Sequence, residues 1–209
     1  MYKISKIVEH GLNVNSHSIK NLKSMKYLSI ILLGFFSFHS FSQVRFHPEA
    51  SKIAVQGKST LHDWESLVKM EDVKVELHIE EADPLLLGHL RLTIPAKSIK
   101  SGESMMDNKT YEALKAEKYP VLKYEVEVFE YREGEVVASN GRLRIAGMEK
   151  EIPVTAKYKM NSSNREISFT GSVSFKMTDF NVSPPTAMFG TMKTGDEVTI
   201  KYTIVVENS

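Results

Sequence analysis

From residue 43 to the carboxyl end, apolar and polar residues alternate one by one along most of the chain. Between Asp72 and Glu81, Val73, Val75, Leu77 and Ile79 take turns with Lys74, Glu76, His78 and Glu80. Neighbouring side chains of a strand point to opposite faces, so this pattern buries one face and wets the other, as antiparallel sheets do. Leu86–Ile94 follows the same rule, with Leu90, Leu92 and Ile94 inward. Strands are also predicted over Val44–Ala50, Lys52–Gly57, Tyr124–Phe129, Val136–Ala146, Ile152–Met160, Glu166–Met177 and Glu197–Val206, with a bend at Gly141. Turns are predicted at Gly57–Thr60, Ala82-Asp83-Pro84, Arg132–Glu135, Gly147–Lys150 and Asn161–Asn164. About eight to ten short strands at this spacing make an all-β protein, an antiparallel sandwich or a closed barrel. An eight-stranded barrel leaves room for one small ligand.

The period changes once, between Ser98 and Tyr124. Met105, Met106, Tyr111, Leu114 and Tyr119 fall near helical spacing among good helix formers such as Glu112, Ala113 and Lys115. One or two short helical turns are predicted there. Ser101, Ser104, Asp107 or Asn108 would cap the start, and Pro120 would end the segment.

The amino terminus has another character. Met25-Lys26 precedes an apolar run of roughly 12 residues and then the small residues Ser40 and Ser42, the form of a secretory signal peptide. The run is short of the roughly 20 apolar residues of a membrane span. Residues 1–42 are therefore read as an upstream extension plus signal peptide cleaved after Ser42. Residues 43–209 are read as one exported domain, periplasmic or secreted, with no membrane span in its mature form.

Cleavage removes five lysines and one glutamate from 27 basic and 26 acidic residues, leaving a net charge of −3. A slightly acidic domain without a basic run lacks the electrostatic footprint of a nucleic-acid binder. The chain has no cysteine, which excludes disulfides, thiolate metal sites and cysteine catalysis.

Chemistry-bearing clusters are few. His62-Asp63-Trp64 admits three readings: a catalytic or metal pair, a buried Trp64 beside a hydrogen-bonded His62, or a ligand contact from Trp64. Met105 and Met106 carry adaptable thioethers that suit either an irregular apolar ligand or ordinary core. Phe189–Val198, with Gly190 and Gly195, could cradle a phosphate, but this segment contains no Gly-Lys-Ser/Thr motif and leads into no helix. No Gly-x-Ser-x-Gly or His-Glu-x-x-His motif is present. The inward aromatics Tyr124, Tyr158, Phe169, Phe175 and Tyr202 fit a filled core as well as a lined cavity.

The ordered set Gly57-Lys58-Ser59-Thr60-Leu61-His62-Asp63-Trp64, Ile94-Pro95-Ala96-Lys97-Ser98-Ile99, Lys118–Tyr124, Gly141–Val154, Phe175–Phe180 and Gly195-Asp196-Glu197-Val198 spans nearly all of the mature chain. In this set the chain resembles the YceI-like family, exported polyisoprenoid-binding proteins with a lipocalin-like barrel. The resemblance implies an extended antiparallel barrel with short helical insertions, holding an isoprenoid chain or isoprenoid quinone. It implies that Val75, Leu77, Leu92, Tyr124, Val126, Phe169 and Phe175 contact that lipid. Trp64, Met105 and Met106 complete the candidate ligand-binding set. No catalytic residue, metal or other cofactor is expected. The expected function is non-enzymatic carriage of a long-chain lipid; the alternative is a filled-barrel interaction module. The oligomeric state is open, a homodimer included.

Overall fold

The alternating segments form strands because β-branched and aromatic residues recur at every second position, where a pleated surface buries them together. The computed structural model describes residues 44–208 apart from 83–84, 128, 133, 139, 162, 164 and 188–189. The predicted signal peptide and the predicted cleavage site therefore lie outside the described residues, as do Val128, Phe189 and parts of the predicted turns at 82–84, 132–135 and 161–164.

The strands are β1 (Val44–Phe46), β2 (Lys52–Ser59), β3 (Trp64–Val68), β4 (Lys74–Ala82), β5 (Leu85–Pro95), β6 (Ile99–Lys100) and β7 (Val121–Val126). They continue with β8 (Glu130–Arg132), β9 (Glu135–Ala138), β10 (Arg142–Ile145), β11 (Met148–Glu151), β12 (Val154–Asn161), β13 (Glu166–Lys176), β14 (Thr186–Ala187) and β15 (Met192–Asn208). Every pairing is antiparallel.

Two hydrogen-bonded sheets result. The larger runs β6-β3-β2-β15-β13-β12-β9-β8, with β1 and β14 also paired to β15; the smaller runs β11-β10-β7-β5-β4. Among the described residues no ladder joins them, so the barrel is not closed by hydrogen bonds. The chain itself links the two sheets. The chain crosses between sheets six times, from β3 to β4, β5 to β6, β7 to β8, β9 to β10 and β11 to β12 within five residues each, and from β6 to β7 through the longer connection 101–120. Strands that switch sheets at bends make such corners. Met70, Val73, Ala96 and Ser98 are buried on one corner, and Val126, Phe129 and Gly141 on the other. The first corner is fastened by the Lys69 amide donating to the Ser98 carbonyl (2.9 Å) and the Ala96 amide to that of Pro120 (2.8 Å).

Several boundaries differ from expectation. Gly57 lies inside β2, and the turn falls instead at 59–62, where the Ser59 hydroxyl donates to the His62 carbonyl (2.8 Å). Val136–Ala146 is divided by the bend at Gly141 into β9 and β10. The last strand starts five residues early at Met192. It absorbs Gly195 in a bulge: Thr194 opposes Ser59, but Val198 already opposes Gly57. The hairpin between β10 and β11 turns on Ala146 (φ 49°) and Gly147 (φ 83°), the two left-handed positions of a type I′ turn.

The helical insertion is longer than predicted: α1 spans Ser104–Ala113. None of the proposed capping residues caps it. The residue before the helix is Glu103, without a side-chain cap bond, and Asp107 reaches backward to accept from the Ser101 amide and hydroxyl (both 2.7 Å). The helix stops well before Pro120. Lys115 adopts the left-handed conformation (φ 53°), and the Lys115 and Ala116 amides donate to the Glu112 and Tyr111 carbonyls. That is the Schellman arrangement, with lysine in the place glycine usually takes. At this end Leu114 packs with Ile145, Val182 and the fully buried Phe180, and Phe180 meets Phe175 edge to face at 5.1 Å. Among the described residues no helix is long and apolar enough to cross a membrane.

Candidate functional site

The inner faces of the two sheets do not fill the space between them. A cavity of about 180 Å³ runs between the sheets, walled by Ile53, Val55, Leu77, Leu90, Leu92, Tyr124, Val126, Phe169, Val173, Phe175, Ile200 and Tyr202, among others. Among the described residues no charged side chain lines it. Its tyrosine hydroxyls both have partners. Tyr202 donates to the Thr155 carbonyl (2.9 Å) and Tyr124 to that of Ile152 (3.3 Å). Burial pushes the Tyr202 phenol up to about 12 and lifts Tyr124 well above the ordinary phenol range, with a small further contribution from Tyr202. Both rings stay neutral across physiological pH.

Glycines let these two rings lie where they do. A methyl group added at Gly171 would stand 2.3 Å from the Tyr202 hydroxyl, and one at Gly141 would stand 1.9 Å from that of Tyr124. Gly171 directly opposes Tyr202 across β13 and β15. An engaged hydroxyl offers a ligand little, so the site presents only hydrocarbon. Such a wall binds by removing apolar surface from water.

Six of the expected ligand residues, Leu77, Leu92, Tyr124, Val126, Phe169 and Phe175, line this cavity. Val75 does not line it, but packs against the same core. Met105 is 74% exposed on α1, and Met106, half-buried, is not part of the wall. Helical spacing placed these two methionines on a helix without saying which side meets the barrel. Trp64 shares the inward face of β3 with Ser66 and Val68, yet stands beyond the wall. Its indole N–H donates to the Lys58 carbonyl (3.3 Å). Tyr202 and Ile200 belong to the wall but not to the expected set, although the alternation of β15 marks both as inward.

His62 and Asp63 do not form a catalytic pair. His62 is exposed, and its Nδ1 lies 3.0 Å from the backbone carbonyl of Asp63, not from the carboxylate. Among the described residues no group of three or more His, Asp or Glu is placed to hold a metal ion. The bulge around Gly195 carries its own anion. Asp196 accepts from the Thr178 hydroxyl (2.6 Å) and amide (2.9 Å), bonds that hold its carboxyl below the usual range. A phosphate would meet that carboxylate.

Comparison with known proteins agrees with this architecture. The protein of Burkholderia cenocepacia named BcnA superposes with a TM-score of 0.63 at 20% identity, over 77% of this chain and 98% of that one. A polyisoprenoid-binding domain from Saccharophagus degradans, implicated in plant cell wall breakdown, gives 0.60 at 13% identity, over 80% and 99%. The YceI protein of Campylobacter jejuni gives 0.51 at 20% identity, over 66% and 82%. At these identities the likeness is one of fold. No curated protein sequence matches the chain. The sequence itself matches the YceI-like domain over residues 40–206, the stretch that builds both sheets and the cavity between them, and so the chain belongs to the YceI-like family.

Proposed function

We propose that the protein is an exported, non-enzymatic carrier that holds an isoprenoid, or a similar long-chain apolar lipid, between its two sheets. The observation that carries this reading is the cavity wall, which has no charge and no free hydroxyl. A ligand that suits it is hydrocarbon along its buried length, with any polar head group outside. Burial contributes about 25 cal/mol for each Å² of apolar surface before ordering costs. A structural neighbour described as polyisoprenoid-binding supports the ligand class. The apolar run before Ser42 supports export.

Native mass spectrometry of residues 43–209, purified from an isoprenoid-producing host, tests the proposal. The expected result is a mass excess that disappears on denaturation and matches a polyprenyl or quinone species. A bare polypeptide mass, unchanged after incubation with polyprenyl lipids that also fail to raise Tm, overturns it.

A further inference from the structure

The stretch from Val44 to Ala50 links the larger sheet to the edge of the smaller one. β1 pairs with the end of β15, Val44 opposing Asn208, Arg45 opposing Glu207 and Phe46 opposing Val206, and it lies beside β4 of the smaller sheet. Val44 and Phe46 pack on the core that contains Val206 and Ile204, and Ile204 lines the cavity. β1 is thus a strap of three residues across the flank of the cavity.

Two side chains fasten it, His47 and Ser51, and of these only His47 titrates. His47 follows β1 directly, and its side chain is 17% exposed. Its Nδ1 lies 3.0 Å from Glu49 Oε1 and its Nε2 3.2 Å from Glu207 Oε2. The His47 amide donates to the Val205 carbonyl (3.0 Å). The Ser51 hydroxyl donates to the His47 carbonyl (2.7 Å) and accepts from the Val205 amide (2.9 Å). A neutral imidazole has a single N–H, so it can serve one carboxylate only and must turn a lone pair toward the other. The imidazolium serves both.

We propose that His47 is a proton-controlled clasp: protonated, it donates both to Glu49 of its own 3-10 turn and to Glu207 of β15, and deprotonated it can donate to only one of the two, so that its hold on β15 weakens and the strap loosens. The surrounding charges favour the protonated form. Glu49 lies on the 3-10 turn Pro48–Ala50, Glu207 on β15 and Arg45 on β1. Glu166 of β13 opposes Glu207. Glu71 and Asp72 lie on the 3-10 turn packed against Pro48–Ala50, and Lys74 and Glu76 stand on neighbouring β4. Carboxylates outnumber cations in this set. The hydrogen bond to Glu49, joined by that to Glu207, outweighs burial and raises the His47 pKa. With a raised folded value, the hold is complete below the ordinary histidine pKa and is lost as pH rises through the folded pKa.

The clasp stands or falls independently of the lipid, because it can be measured with the cavity empty. The experiment is amide exchange of residues 43–209 from about pH 5 to about pH 9, corrected for intrinsic rates, across the histidine range. The amides of 44–47 and 205–208 report the strap, and those of 169–173 in β13 serve as reference. Strap protection is expected to fall with rising pH, by at most about tenfold per pH unit for one linked proton, while the reference holds. His47→Gln, which does not titrate, is expected to show low and pH-flat strap protection. Wild-type protection that is flat, a pH dependence that survives in His47→Gln, or a fall shared equally by β13 overturns the proposal.

Discussion

The indole of Trp64 packs against Gly57, the residue directly opposite it across β2 and β3. A methyl group added at Gly57 would stand 2.4 Å from Trp64 Cζ2 and 2.7 Å from Cε2. Aromatic side chains commonly cover a glycine in this way, shielding backbone that would otherwise weaken the strand. Gly57→Ala is expected to displace the ring and lower stability by about 1–3 kcal/mol. Trp64 is the sole tryptophan, so its fluorescence should shift to the red along with a lower Tm. An unshifted spectrum would show that the contact does not constrain the ring.

Filling the cavity tests its use. Val173 lines it, opposite Ile200. In Val173→Phe the added ring occupies the open space, so the fold should survive with a loss below the usual overpacking cost of about 1–3 kcal/mol. Lipid carried through purification should fall sharply. Full lipid loading in a folded Val173→Phe protein would place the ligand elsewhere.

Asp107 makes the start of α1 sensitive to acid. Burial alone would push its carboxyl up, but the two hydrogen bonds from Ser101 and the Lys100 ammonium at 3.5 Å outweigh that and hold it below the usual range. With a depressed folded pKa, its contribution is complete above the unfolded value of about 3.9 and is lost as pH falls through the folded one. Asp107→Asn should cost about 1–2 kcal/mol at neutral pH and narrow the gap to wild type in acid. Denaturant melts at several pH values measure both; a gap that does not change with pH would remove the charge from the account.

Lys115 offers the opposite sign. A left-handed lysine costs about 1–2 kcal/mol in backbone strain, which glycine avoids. Lys115→Gly is expected to raise stability by about 0.5–1 kcal/mol once the extra freedom of the unfolded chain is set against that gain. A lower Tm would mean that the weak 3.5 Å contact from the Lys115 ammonium to the Asn181 carbonyl matters more than the backbone does.

Strand content and inward faces were legible because a period of two is a local property. Six residues expected to touch the ligand stand on the cavity wall for that reason alone. The corners were harder to foresee. Met70–Asp72 and Ala96–Ser98 are short 3-10 turns inside otherwise extended chain, and nothing in their composition announces a change of sheet. Gly141 gave a partial sign of the one between β9 and β10. Trp64 and Gly57 are seven residues apart, and only the register of two strands makes them one contact. The exposure of Met105 depends on which side of α1 faces the barrel, which follows from Leu114, Phe180 and Val182 packing at its far end. The His47 clasp joins residues 160 positions apart, beyond the reach of any local pattern.

The rings of Trp64, Tyr124 and Tyr202 each rest on a glycine: Gly57, Gly141 and Gly171. In a mutational scan each pair should behave as one locus. A larger residue at the glycine and a truncation at the aromatic would remove the same contact, and once one has occurred the other should become nearly silent. Gly57→Ala should therefore be tolerated in a Trp64→Ala background, where the space the ring occupied stands open. The permissible alphabet at these glycines is set from across the sheet.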